Sequence, residues 1–552
     1  MTGNMSYMPP VRMDRDGITR PESIDKVQDL VQWIKQQRGR IRVVGAKHAT
    51  PNDKLGTDVP DDRHVLVSLD KIRDLTWPNG VTAGIAEVGA GNNLGVDPAN
   101  KYSTEDNALL PRLAAQGWTL LGLAGITEQT VGGFLSTGSA GGSCSPGCSL
   151  ERNLVGFTIV DGNGNVHRVE KGHKWYNAVG ISMGLLGVVV SVTLQCSPAF
   201  KLIGREDFTG EDASECTVDL FGSGSNSGKQ GPMEFFRSHQ YSRIRWYPQS
   251  RQVGIWQADE LDKSNTPATS LEQPDQKYVN PKSENAEAEA LLMLIIGNLD
   301  DLTQLPERAK PLLARIEQLR KTTKKSHAEH MKDHKEHLQK KFGFTKRALG
   351  ALMKIIDGLL MDDGKLLPQL SLLGKIVRKL ILPSLGTHLK NFLPTGEQRT
   401  QHFYGNSWDI LPLDNHADYQ LVPMWFTELW FPASNCHKVM SALKDHFGHK
   451  RKIKETGLLC TVELYAAPKS EFLLSAASGG EAFRVDFYWA FGYGPTQNAV
   501  NYFQTFWKLL KQFEYKPHWG KFKPVDPAYL KARYGANWDS FMAIRKVRGT
   551  LT

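Results

Sequence analysis

Residues 123–142, LAGITEQTVGGFLSTGSAGG, constrain this chain more than any other stretch. The run begins apolar and then becomes dense in Gly, Ser and Thr. Gly132, Gly133, Gly138, Gly141 and Gly142 let a backbone approach something flat or phosphorylated with no side chain in the way. Thr130, Ser136, Thr137 and Ser139 add hydroxyls that can bond phosphate or ring heteroatoms. A cluster of tight turns would use the same residues, so the stretch alone leaves both readings open.

The rest of the chain sets the frame. With 552 residues, 40% of them hydrophobic and 23% charged, the composition is that of a globular protein with room for two or three domains. No apolar run reaches the roughly eighteen residues of a spanning helix. The opening residues hold acids and no apolar core, so no secretory signal is expected. Six cysteines are too few for a disulfide framework at this length, which points to a reducing, cytoplasmic home. The net charge of +9 is modest, and much of it falls in one internal stretch, so nucleic acid is not an expected partner.

Taken in order, Ser23 is placed to cap a helix whose Ile24, Val27, Leu30, Val31 and Ile34 share one face, with Gly39 as its stop. The short strand IRVVG follows, then a loop carrying His48. A histidine in a loop ordinarily faces solvent or brackets a turn. Gly89, Gly91 and Gly95 have spacing one residue too long for a dinucleotide fingerprint, and no acidic residue follows at the required distance, so a strand and turn is the reading there. Residues 153–170 form a hairpin around the Asp161-Gly162-Asn163-Gly164 turn. Cys144 and Cys148 lack partners for a metal set and read as free thiols; no metal is assigned.

Beyond residue 200, an aromatic-rich strand pair around Pro248 leads into a charged, helical stretch of about residues 257–400. There His327, His330, His334 and His337 fall on one helical face. That face could bind metal or respond to pH, but a solvated surface is the plainer reading. The leucine- and lysine-rich part after it reads as a helical hairpin packed on the core, or as a peripheral membrane or oligomer contact. Further on, Glu428 and Glu463 are acids inside strands that otherwise read buried, where a carboxylate is costly unless paired or functional. Alternation in FRVDFYWA places Tyr488 and Trp489 on opposite faces.

Four segments carry a resemblance. Val44, Gly45, Ala46, Lys47, His48 and Ala49 resemble the pyrophosphate loop of FAD-linked oxidases of the vanillyl-alcohol-oxidase (PCMH) type, whose histidine often carries the flavin covalently. Residues 123–142 closely resemble the second flavin segment of the aldonolactone and alditol oxidase branch, with Ala124, Gly125, Thr130, Gly132, Gly133, Ser136, Thr137 and Gly138 at the flavin positions. Gly187, Val188 and Val189 resemble the place where that family closes over the adenine end. Pro517-His518-Trp519-Gly520-Lys521 matches its C-terminal HWGK signature. Two departures stand out: Gly125 replaces the usual Ser, and Tyr465 replaces the Arg of the family's Glu-x-Arg.

The resemblance implies an α+β fold. It has a PCMH-type FAD-binding domain over residues 1–200 and a cap domain on an antiparallel sheet over 201–515. A long helical insert interrupts the cap, and residues 516–552 return to the flavin. It also implies oxidation of a hydroxyl-bearing carbon of a sugar lactone or polyol by hydride transfer to FAD, with dioxygen or another acceptor closing the cycle. Lys521 would stabilise reduced flavin, Glu463 would orient the substrate hydroxyl and His518 would assist; FAD would be covalent through His48. A tailoring oxidase for a larger metabolite and a non-catalytic flavin-fold scaffold are the alternatives.

Overall fold

The computed structural model describes residues 10–49, 64–145, 147–222, 228–261, 286–299, 305–320, 325–360, 370–381, 400–414, 424–448, 450, 453–490, 499–524 and 526–547. The helix Ile24–Gln36 forms where the capping and periodicity place it. Ser23 Oγ accepts the Lys26 N–H at 3.2 Å, and Val27, Leu30, Val31 and Ile34 are buried. Its stop differs from the expected one. Arg38, at φ 53°, takes the left-handed position, while Gly39 only donates its N–H to Ile34 O at 2.9 Å.

Three strands beside that helix, β1 (Ile18–Thr19), β2 (Arg40–Val43) and β3 (His64–Val67), form a parallel sheet in the order β1-β3-β2. A second, antiparallel sheet comprises β4 (Leu75–Thr76), β5 (Ile85–Gly89), β7 (Leu154–Val160), β8 (Val166–Glu170) and β9 (Val188–Gln195). The short β6 (Trp118–Thr119) pairs with β10 (Ser197–Pro198). The expected hairpin is β7–β8; Asp161 Oδ1 accepts the N–H groups of Asn163 and Asn165 and fixes the turn. Gly89 ends β5 in a turn, as the failed fingerprint spacing implies.

An eight-stranded antiparallel sheet starts at Lys201. It contains β11 (Lys201–Gly210), β12 (Tyr241–Tyr247), β13 (Gln252–Glu260), β14 (Thr400–Asn406), β15 (Met424–Pro432), β16 (Leu459–Ala467), β17 (Ala482–Ala490) and β18 (Lys516–Pro517), in the order β14-β11-β13-β12-β16-β17-β15-β18. Period-two alternation gives this sheet two different faces. Ile244, Val462, Leu464, Val485, Phe487, Leu429 and Phe431 pack on the helices Cys436–Phe447 and Ala499–Leu510. Arg243, Arg245, Glu463, Tyr465, Arg484, Asp486 and Glu428 alternate with them, yet all seven are buried too. That polar face is covered by the N-terminal domain at one end and by the insert at the other.

Among the described residues the insert has five helices: Ala286–Gly297, Leu305–Arg320, His327–Phe342, Lys346–Leu360 and Leu370–Leu380. They share an apolar core with Leu458, Cys460, Tyr488 and Ala490 of the sheet region. The leucine-rich stretch therefore packs, although Leu372 and Leu380 stay exposed at 59% and 38%. The histidine helix departs from the solvated reading. Leu338 and Phe342 anchor it, His334 is buried, and His337 Nε2 lies 2.6 Å from Glu289 Oε1. Among the described residues, no helix is long and apolar enough to cross a membrane.

Candidate active site

The glycine-rich segments meet. The helix Val131–Ser136 is capped by Thr130, whose Oγ1 accepts the Gly133 N–H at 3.2 Å. The same Oγ1 would lie 2.5 Å from a Cβ at Gly45, so the loop after β2 and the second segment touch only because position 45 has no side chain. Lys47 takes a left-handed φ of 61°, an uncommon conformation for a residue with a side chain. His48 Nε2 sits 3.1 Å from Glu128 Oε2, so the histidine and the Glu-Gln pair of the second segment are brought together. Ser136 O accepts the Met183 N–H at 3.1 Å, which joins the third segment to the second. Gly187 is at φ 135°, and a Cβ there would strike Val160 O at 2.3 Å. Val188 and Val189 are placed differently: both side chains are buried in the domain core, and their backbones sit in the β7–β9 ladder.

The C-terminal segment then returns. His518 donates its N–H to Glu428 O at 3.0 Å and Phe522 to Phe426 O at 3.0 Å, which pins the segment along β15. Carbons of His518 and Thr137 lie 3.2 and 3.4 Å from where a Gly520 Cβ would be, so the HWGK turn rests on the end of the glycine-rich helix. The His518 ring is buried, with Nδ1 accepting the Gly520 N–H at 3.0 Å, which leaves the proton on Nε2. Burial pushes its pKa down to about 4, with Glu428 pulling the other way, so the ring is neutral at pH 7.

Beneath this turn, register lines Arg245, Glu463, Asp486 and Glu428 up across four strands. Three neighbouring carboxyls cannot all ionise cheaply. Burial pushes Glu428 up, but Arg484, His518 and Lys521 outweigh it and hold it below its ordinary value. Arg484 is the main partner: Nε and Nη2 donate to Glu428 Oε1 at 2.9 and 2.8 Å, while the guanidinium also donates to Gly141 O and Ala140 O. Asp486 goes the other way. Burial, with Glu428 and Glu463 on either side, raises it well above the carboxylate range, and Lys521 only partly opposes this. Lys521 Nζ lies 3.5 Å from Asp486 Oδ2 and 3.9 Å from the centre of the Phe426 ring. The carboxyl that Lys521 pairs with is thus Asp486, with Glu463 one strand further on.

Glu463 is clamped. Arg243 Nη1 donates to its Oε1 at 3.3 Å; Tyr488 donates to Oε2 at 2.9 Å, and Tyr465 donates to the same oxygen. Burial raises Glu463, Arg243 opposes that, and Asp414 adds to it. Tyr465 therefore does not fill the place of the family's second-strand arginine. A guanidinium reaches Glu463 from β12 instead, and Arg243 Nη1 also meets Asp414 Oδ1 at 2.8 Å. The Asp414 N–H donates to Gly125 O at 2.7 Å, and Asp414 Oδ2 lies 2.1 Å from where a Gly125 Cβ would be. The Gly125 departure makes room for that carboxylate. A small cavity beside this clamp is lined by Arg243, Gly142, Tyr241, Trp256, Leu411 and Leu413 among others.

Two family models match the chain. One described as FAD binding domain covers residues 16–170, and one described as D-arabinono-1,4-lactone oxidase covers residues 373–548. Both matches liken the chain to the aldonolactone oxidase branch of the PCMH-type FAD-linked oxidases. It is 26% identical over 292 residues to D-arabinono-1,4-lactone oxidase of Eremothecium gossypii, covering 52% of this chain and 48% of that protein. For the enzyme of the same name from Saccharomyces cerevisiae the identity is 28% over 258 residues, covering 46% and 43%. L-gulonolactone oxidase of Bos taurus is 24% identical over 251 residues, covering 44% and 48%. The chain spans about half the length of these curated relatives. The crystal structure of cholesterol oxidase from Brevibacterium sterolicum has the same fold, with a TM-score of 0.59 at 14% identity, covering 96% of this chain and 91% of that one.

The residues present fit the family's FAD. Arg42, at the end of β2, and Lys523, two residues past Lys521, are both half-buried. Neither has a carboxylate partner among the described residues. Burial lowers both, and Arg42 adds to the lowering of Lys523. Uncompensated buried positive charge beside a backbone cradle suits a diphosphate. Gln129 Oε1 and Ser182 Oγ are buried without a hydrogen-bond partner among the described residues, and both lie in segments that meet at this cradle. Arg42, Arg243, Asp414, Arg484, Asp486 and Lys523 escape a motif search. Arg42, Arg243, Arg484 and Asp486 leave one signal, a charge placed inside an apolar alternation, as in SRIRW and FRVDF; Asp414 and Lys523 leave none.

Proposed function

We propose that this protein is an FAD-dependent oxidoreductase that removes hydride from a hydroxyl-bearing carbon of a sugar lactone or polyol. The observation that carries this reading is the meeting of the HWGK turn, the glycine-rich helix and a buried carboxyl row held by Arg243, Arg484 and Lys521. Bound FAD supplies the hydride acceptor, flavin N5, and dioxygen or another acceptor regenerates it. The cradle formed by residues 44–49, Thr130, Gly132, Gly133, Ser136, Thr137 and Gly138 holds the cofactor, with Arg42 and Lys523 answering its diphosphate.

Lys521 contributes a fixed positive charge in a poorly solvated place, where it favours whatever anion forms beside it. Asp486, its pKa raised by burial and by the two neighbouring carboxyls, opposes that charge less than an ordinary carboxylate would. Glu463 has three donors and still has a lone pair free on Oε1 for a substrate hydroxyl, while Arg243 and the two phenols hold it in one orientation. Neutral His518 offers Nε2–H as a donor and holds its proton instead of taking one. As the hydride departs, the hydroxyl proton would pass to Glu463, the carboxylate that accepts its hydrogen bond, giving a ketone, aldehyde or lactone.

The test is anaerobic mixing of purified, yellow protein with a panel of sugar lactones and polyols. Bleaching by at least one member is expected, and a flavin-loaded protein that none of them reduces refutes the reading. We further propose that the flavin is tethered through His48. Acid-precipitated protein should stay yellow, and a His48 peptide should carry the mass of FAD; colour released wholly to the supernatant refutes the tether alone.

A further inference from the structure

We propose that Glu287, His330 and His334 form a binding site for a divalent transition metal, with zinc favoured by the ligand set. The ligand-capable atoms of the three residues all lie within 4.8 Å of one another. His330 and His334 are four apart on the helix His327–Phe342 and so sit one above the other on a single face. Glu287 comes from the first turn of the helix Ala286–Gly297. His334 Nε2 is 3.4 Å from Glu287 Oε2. Tetrahedral zinc with bonds of about 2.0–2.1 Å spaces its ligand atoms about 3.4 Å apart, so this edge of the site already has the right length.

His334 is 1% exposed, and its Nδ1 has no hydrogen-bond partner among the described residues. The helix itself is firmly set. Ser326 and Glu329 form a capping box at its start, and Gly343 closes it at φ 60°. The groups around the cluster are Arg320, whose Nε lies 3.3 Å from Glu287 Oε2; Lys325, paired with Asp333 at 2.9 Å; and His337, paired with Glu289 at 2.6 Å. Arg320 is the cation that an incoming metal must share the carboxylate with. Three protein ligands leave a fourth position for water or a small anion. The bound ion fastens the helix Ala286–Gly297 to the histidine helix, in the layer that covers Tyr488.

The experiment uses the full chain. Protein is stripped with a chelator and dialysed against zinc, and its metal content is measured. A parallel sample is titrated with Co²⁺ and read in the visible, to the red of any flavin absorption. Wild type should retain stoichiometric zinc and develop tetrahedral cobalt bands. His330→Ala, at a half-buried position that tolerates truncation, and Glu287→Gln, which keeps the shape, should each weaken binding by roughly tenfold or more. His337→Ala should bind as wild type does. Absence of zinc and of cobalt bands in wild type, or full binding by His330→Ala, overturns the site and leaves an Arg–Glu–His hydrogen-bond network only.

Discussion

Glu428→Gln is the sharpest test of how the polar face of the sheet is held together. The Glu428 and Arg484 side chains are each 3% exposed, and two guanidinium N–H groups converge on Oε1. Breaking one partner of a buried pair typically costs about 3–5 kcal/mol, because the other charge is stranded. Here Arg484 keeps two backbone acceptors, Gly141 O and Ala140 O, and the amide oxygen of Gln can still accept one bond. The expected loss is therefore at the lower end, about 3 kcal/mol. Urea unfolding followed by tryptophan fluorescence reads it directly, since the Arg484 guanidinium lies 4.4 Å from the centre of the Trp430 ring. The pH dependence adds a second check. A carboxyl whose folded pKa is depressed stabilises above its unfolded pKa, about 4.3 for Glu, and loses that stabilisation as pH falls through the lower folded value. The gap between wild type and variant should hold from pH 7 to 5 and close on further acidification. A difference under about 1 kcal/mol at pH 7, or a gap that persists in strong acid, refutes the reasoning.

The remaining expectations concern other links in the chain. Lys521→Ala and Glu463→Gln should keep bound flavin while slowing anaerobic flavin reduction roughly a hundred- to a thousandfold, read by stopped flow; wild-type rates in both would misplace the site. Arg38→Gly should raise stability by about 1 kcal/mol, because a residue with a Cβ occupies a left-handed helix stop there; thermal or urea unfolding reads the change, and an unchanged midpoint counts against strain at that stop. Excising residues 286–381 should yield protein that aggregates or binds a hydrophobic dye, since Cys460, Tyr488 and Ala490 lose their cover. A soluble, dye-silent deletion would show that the insert is dispensable for the sheet.

Much of this molecule is legible in its residues. Ser23 and the apolar face behind it write the first helix, and Asp161 with Gly164 writes the hairpin turn. The glycine and hydroxyl spacing of residues 123–142 is readable because a close backbone approach leaves few residue choices, and Gly45 against Thr130 is such an approach. What is hidden depends on contacts far apart in sequence. Arg243 meets Asp414 across 171 positions and Arg484 meets Glu428 across 56, and no local periodicity encodes either pairing. The histidine helix misleads for the same reason. Its composition suits water, and only the tertiary position of Glu287 and Glu289 turns His334 and His337 inward. Val188 and Val189 lie in the β7–β9 ladder with both side chains buried, so any part they take in the cradle falls to their backbone.

Tyr488 belongs to two neighbourhoods at once. Its ring is wedged in the core of the insert, edge-on to Phe426 with centroids 4.6 Å apart, while its hydroxyl reaches Glu463 Oε2 at 2.9 Å. Phe426 in turn lies under Lys521. The aim of the proposed chemical groups is thus calibrated by the grease behind them. A methyl group gained or lost in the insert changes the packing of the Tyr488 ring, and the hydroxyl of that ring is bonded to Glu463. Sequence drift in the helical insert is therefore not silent drift: it works as a trim screen on the alignment of Glu463 and Lys521, adjustable without altering either residue.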